Sequence, residues 1–177
     1  MRTYIRARIP GALYFFTLTL AERRNNALLI EHVSALRDAF RQTRREHPFD
    51  IKAVVILPDH LHCLWWLPPG DCDYSTRWRL IKGRFSAALP AGERISASRQ
   101  RKRERGIWQR RYWEHVIRDE RDYERHIDYI HFNPVKHGFV EKAGHWQYSS
   151  FHRWVERGVY PRDWTADDRI RELEIDE

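Results

Sequence analysis

Two strand-like runs, Ile51 to Leu57 and His60 to Leu67, are separated only by Pro58-Asp59. A parallel crossover needs a connection of roughly a dozen residues, so a Pro-Asp turn leaves only an antiparallel hairpin. Pro68-Pro69-Gly70 ends the second strand, and the rest of the chain must build around this pair. Upstream, Tyr14, Phe16, Leu18 and Leu20 alternate with Leu13, Phe15, Thr17 and Thr19, as in a strand. Asn25 and Asn26 can then cap a helix from about Ala27 to Glu46, with Leu29, Val33, Leu36 and Phe40 as its apolar stripe and Pro48 beyond its end. Downstream, Asp73 to Leu89 carries Trp78, Ile81, Phe85 and Leu89 at helical spacing, and Pro90 closes it. Tyr112 to Arg118 reads as a short strand, and Asp119 caps a helix that runs to about Asn133, where Pro134 stops it. The order strand, helix, strand, strand, helix, strand, helix predicts an α+β fold: a ferredoxin-like antiparallel sheet of about four strands, helices on one face, and a further helix near the C-terminus.

A chain of 177 residues suits one domain, expected over 1–164, with a basic loop at 94–111 and an acidic tail at 165–177. Lys and Arg total 32 against 25 Asp and Glu, a formal charge of +7, and 27 of those 32 cations are arginine. That bias favours forked, stacking contacts to phosphate and bases. Eight of the basic residues fall between Arg94 and Arg111 with one acid, Glu104. Arg99, Arg101, Arg103, Arg105, Arg110 and Arg111, ending beside Trp108, could clamp a phosphate backbone and stack an unpaired base, in a loop expected to be mobile without its ligand. Arg2, Arg6 and Arg8 beside Tyr4 form a second candidate arm. These arginines precede an uncharged stretch, but its alternation argues for a strand rather than a secretory signal. Cys63 and Cys72 cannot build a disulfide framework, which fits a reducing cytoplasm, and no run is long and apolar enough to span a membrane.

His60-Leu61-His62 places two imidazoles on one face of a strand, where they can bind one ion or serve as ordinary sheet residues. On the last helix, Tyr123, Ile127, Ile130 and Pro134 form a core-facing stripe. His126, Tyr129 and Asn133 share another, where Tyr129 is either a reactive phenol or a tyrosine at the core margin. A zinc hydrolase built on the histidine pair lacks an acidic third ligand and a Glu base in the same strand.

Pro58-Asp59-His60-Leu61-His62, Trp108-Gln109-Arg110-Arg111-Tyr112-Trp113-Glu114-His115 and Asp128-Tyr129-Ile130-His131-Phe132-Asn133-Pro134-Val135-Lys136 together resemble the motifs of the REP-associated tyrosine transposases, a single-tyrosine branch of the HUH nucleases. The resemblance runs from about Tyr4 to Trp164. It implies the HUH endonuclease fold, His60 and His62 as metal ligands completed by Asn133, and Tyr129 as nucleophile. It also implies a Mg²⁺ or Mn²⁺ cofactor and a substrate of REP palindromes folded as single-stranded DNA hairpins, cut and rejoined through a 5′-phosphotyrosine by a monomer or homodimer. Two rival readings keep the fold: a non-catalytic hairpin-binding protein, and a relaxase-like nicking protein whose partner domain lies elsewhere.

Overall fold

The computed structural model describes residues 6–93 and 95–165. Arg2, Tyr4 and most of the acidic tail, from residue 166 onward, therefore lie outside the described residues. Four strands, β1 (Leu13–Thr19), β2 (Asp50–Ile56), β3 (His60–Trp66) and β4 (Trp113–Val116), form one sheet in the order β2-β3-β1-β4. Every neighbouring pair is antiparallel, as the ferredoxin-like expectation requires.

The helices divide between the two faces of this sheet. Helices α1 (Leu28–Glu31), α2 (Val33–Glu46) and α3 (Tyr74–Ala88) cover the side bearing Tyr14, Phe16, Leu18, Leu61, Cys63 and Trp65. Trp78 of α3 stacks on Trp65 at 4.1 Å, and each such buried side chain contributes about 1.5–3 kcal/mol. The last long helix, α5 (Glu120–Lys136), lies on the opposite side. There Ile127 and Ile130 pack on Phe15, Ala53, Val55 and Leu64. Helices α1 to α3 thus share one face, as expected, and α5, the further helix expected near the C-terminus, covers the other. The physical reason is that β1 and β3 carry buried side chains on both faces, and a sheet buried on both sides needs a layer on each.

Three local expectations also change. The first long helix breaks at His32, between α1 and α2. Pro134 lies inside α5 instead of ending it. The stop comes at Gly138, φ +70°, where the amides of Gly138 and Phe139 donate to the carbonyls of Val135 and Pro134 at 2.9 Å each, a Schellman cap. The basic segment contains a short helix, α4 (Ala97–Arg101), and is tied down by Arg105. That side chain pairs with Glu93 at 2.5 Å and donates to the carbonyls of Ser86, Leu89 and Pro90. After α5 the chain passes through a 3₁₀ turn, Ala143–His145, into α6 (Phe151–Glu156). Among the described residues no helix is long and apolar enough to cross a membrane.

Candidate active site

Strand β3 begins at His60, so His60, His62 and Leu64 point to the α5 face while Leu61 and Cys63 enter the opposite core. In the sheet register Thr19 faces His60 and Thr17 faces His62. The two imidazoles lie 5.0 Å apart, nearly perpendicular.

Each imidazole is held through Nδ1. His60 Nδ1 lies 2.6 Å from Asp59 Oδ1; a carboxylate only accepts, so Nδ1 carries a proton and, in the neutral ring, Nε2 holds the lone pair. Burial works against ionisation of Asp59, yet Arg23, at 2.6 Å, and His60 outweigh it and hold the carboxyl below its usual range. His62 Nδ1 lies 2.9 Å from Thr17 Oγ1. Complete burial, with His60, His137 and Lys136 nearby, holds the His62 pKa well below the ordinary value. It is therefore a neutral imidazole, the form that binds metal.

Helix α5 brings Tyr129 and Asn133 over this pair. Asp119 starts the helix by accepting the Asp122 amide at 2.8 Å, and Tyr129 and Asn133 follow one turn apart on the same face. The Tyr129 ring packs against His62 at 5.3 Å and Phe15 at 6.1 Å, with Lys136 Nζ 4.8 Å from its centroid. Tyr129 is 3% exposed, more enclosed than the margin of a core, whereas Tyr123 is only half-buried. Asn133 is fully buried, and neither its Oδ1 nor its Nδ2 makes a hydrogen bond of good geometry; its carboxamide lies close enough to His62 to favour the protonated imidazole. A buried carboxamide so placed beside two oriented imidazoles fits a divalent cation.

Sequence reasoning missed Thr17, Asp59 as an orienting group, Lys136 and His137. The ring of His137 sits 5.0 Å from that of His60, and burial together with His60 lowers its pKa to about 4. It also missed His115, Asp122 and His126, whose ligand atoms lie within 4.8 Å of one another. That trio has the composition of a metal site, but its groups are engaged. Asp122 accepts His115 Nε2 at 2.8 Å and the Arg118 amide at 3.0 Å, His126 Nδ1 donates to the Asp122 carbonyl, and the rings stack within 14° of parallel. These bonds clasp β4 to the first turn of α5.

The sequence-selected cations divide in the same way. Arg105 is committed to Glu93, whose pKa it lowers to about 2. Arg99 donates to the carbonyls of Arg105 and Trp108, and Trp108 is buried against Phe85, with no face open for stacking. Arg8, Arg101, Arg103, Arg110 and Arg111 are exposed, and Arg110 pairs with Glu104 at 2.8 Å. Arg6 lies over the Tyr112 ring at 4.0 Å. A groove of about 930 Å³ gathers Arg6, Arg79, Lys82, Arg99, Lys102, Arg103, Arg105 and Arg110 around a single carboxylate, Glu104. One of its lining residues, Gln109, donates its amide to the carbonyl of Thr19, the residue opposite His60 in the sheet.

Residues 12–133 match the profile of the IS200-like transposases. The chain is 45% identical over 94% of its length to the REP-associated tyrosine transposase of Escherichia coli K12, covering 93% of that protein. It is 47% identical to a Haemophilus influenzae protein provisionally named as another, across 97% of both chains. A solved structure of a REP-associated tyrosine transposase bound to a REP hairpin superposes with a TM-score of 0.81 at 44% identity, over 94% of this chain and 93% of that one.

Proposed function

The chain belongs to the IS200-like transposases, within them to the REP-associated tyrosine transposases, and from this premise we propose that it cuts and rejoins REP-type hairpin DNA through Tyr129. One observation carries the reading: Tyr129, Asn133, His60 and His62 share one face of one sheet, with the phenol ring 5.3 Å from His62. All four come from a single chain, which supports action as a monomer, in the cytoplasm where such DNA lies.

A free phenol, pKa near 10, is a poor nucleophile at neutral pH. His60, His62 and Asn133 would hold Mg²⁺ or Mn²⁺, which when bound offsets charge on the scissile phosphate. Asp59 fixes the His60 tautomer, burial keeps His62 neutral, and the Lys136 ammonium sits over the Tyr129 ring at 4.8 Å. Tyr129 Oη bonds to phosphorus as the bond from phosphorus to the 3′ oxygen breaks, and the phenol proton ends on the released 3′-hydroxyl. The product is a 5′-phosphotyrosine that another 3′-hydroxyl can attack in reverse. Arg6, Arg8, Arg101, Arg103, Arg110 and Arg111, with Arg2 and Tyr4 on the N-terminal arm, supply backbone contacts, while Arg99, Arg105 and Trp108 shape the groove.

The test is Tyr129→Phe with a labelled REP-type hairpin and Mn²⁺. The variant should bind the hairpin as the parent does, because only the hydroxyl is removed, and give no covalent adduct on a denaturing gel. An adduct formed by the variant overturns the assignment.

A further inference from the structure

Beyond the groups used above, an open aromatic surface lies beside the histidine pair, at the end of α5. Phe139 is 44% exposed. Gly138 turns the chain back off α5, and the Phe139 ring stacks on Trp146 at 5.4 Å and 28°. Trp146 is itself fixed: its Nε1 donates to the Ile56 carbonyl at 3.0 Å, and Tyr148 packs against it edge-on.

A single exposed phenylalanine needs no explanation; the position of this one does. The His137 ring touches both neighbours, 5.0 Å from His60 and 6.0 Å from Phe139. The platform therefore flanks the histidine pair on the β2 side. The basic groove flanks the pair on the β1 side, through Gln109 and Thr19. A nucleic-acid strand crossing this end of the sheet meets cations first, then the histidine pair, then a bare aromatic face. Among the described residues no cation–π contact falls on Phe139 or Trp146. Cations hold phosphates, whereas an uncovered ring on a rigid indole holds a base.

We propose that Phe139, backed by Trp146, is a nucleobase subsite for the unpaired nucleotide next to the scissile phosphate, on the side away from the basic groove. The inference rests on the DNA-cutting reading above, and the experiment separates the two. Protein carrying Tyr129→Phe, which leaves DNA uncut, is titrated with Mn²⁺ and REP-type hairpins bearing 2-aminopurine at successive positions of a single-stranded flank. One flank position should be quenched on binding. Adding Phe139→Ala should abolish that quenching and weaken binding of the flanked hairpin at least about fivefold, leave the flankless hairpin unaffected, and be reversed by Phe139→Trp. Unchanged quenching and affinity in Phe139→Ala overturn the subsite alone. So does a change confined to self-association, which would mark the surface as a contact between copies. Failure of the parent protein to bind any hairpin overturns the DNA-cutting reading with it.

Discussion

The spacing of His60 and His62 puts both on one face, but their neighbours determine what they can do there. Asp59 accepts a hydrogen bond from His60 Nδ1 at 2.6 Å, and the exposed Arg23 guanidinium steadies that carboxylate at 2.6 Å. Removing the charge of Asp59 while keeping its shape should loosen the ring and make Nε2 a poorer donor. Asp59→Asn is therefore expected to weaken Mn²⁺ binding by about 10- to 100-fold, read by electron paramagnetic resonance titration of the DNA-free protein; unchanged affinity would count against Asp59 as the orienting group. Strand and helix periods put His60 on one face with His62 and Tyr129 on one face with Asn133, while their roles as ligands and nucleophile came from the resemblance to the family. Thr17 and His137 were not legible, since one reaches the site only through the β1–β3 register and the other only through the turn that ends α5. Asp59 stood in the quoted motif, but nothing in the sequence shows that its carboxylate folds back onto the next side chain.

Helix α5 connects the site to the rest of the fold, and its ends account for the differences between its sequence and its structure. Its start was readable, because Asp119 caps the Asp122 amide. Its end was not, because Pro134 gives up only its own amide in the last turn, and Gly138 provides the stop. An added Cβ at Gly138 meets nothing within 4 Å, so a substitution there costs only the backbone strain of φ +70°. Gly138→Ala should destabilise the protein by about 1 kcal/mol. Calorimetry should show Tm lower by about 2–4 °C, and an unaltered Tm would mean that the cap is not formed in solution. The basic segment is a similar case: its charge density was plain, but the carbonyls that collect around Arg105 come from the end of α3, a tertiary fact with no local signature.

Across the whole molecule, the excess of seven positive charges is not spread evenly. Composition pointed to a polyanion but could not say where it would bind, nor that the apolar strands would be covered on both faces. In the groove, burial first and neighbouring cations second alter the chemistry of one lysine. Burial, followed by the fields of Arg99 and Arg6, lowers the Lys82 pKa to about 8, with Glu104 opposing weakly. The Lys82 ammonium also donates to the Gln109 carbonyl at 2.7 Å, on the path from the groove to Thr19 and His60. A DNA phosphate beside the ammonium would attract it directly, outweigh both burial and repulsion, and raise the Lys82 pKa toward its ordinary value near 10.5. Bound protein then holds a proton that free protein releases above pH 8, so binding takes up a proton and affinity falls as pH rises. Between pH 7 and pH 9 hairpin affinity should drop about tenfold at constant ionic strength, by linkage of a group whose pKa rises from about 8 to about 10.5. Fluorescence anisotropy with the Tyr129→Phe protein measures this without cleavage. Lys82→Arg keeps the charge but does not titrate in this range, and should flatten the profile while binding normally at pH 7. A slope that persists in Lys82→Arg would assign the proton to another group and remove Lys82 from the path of the DNA.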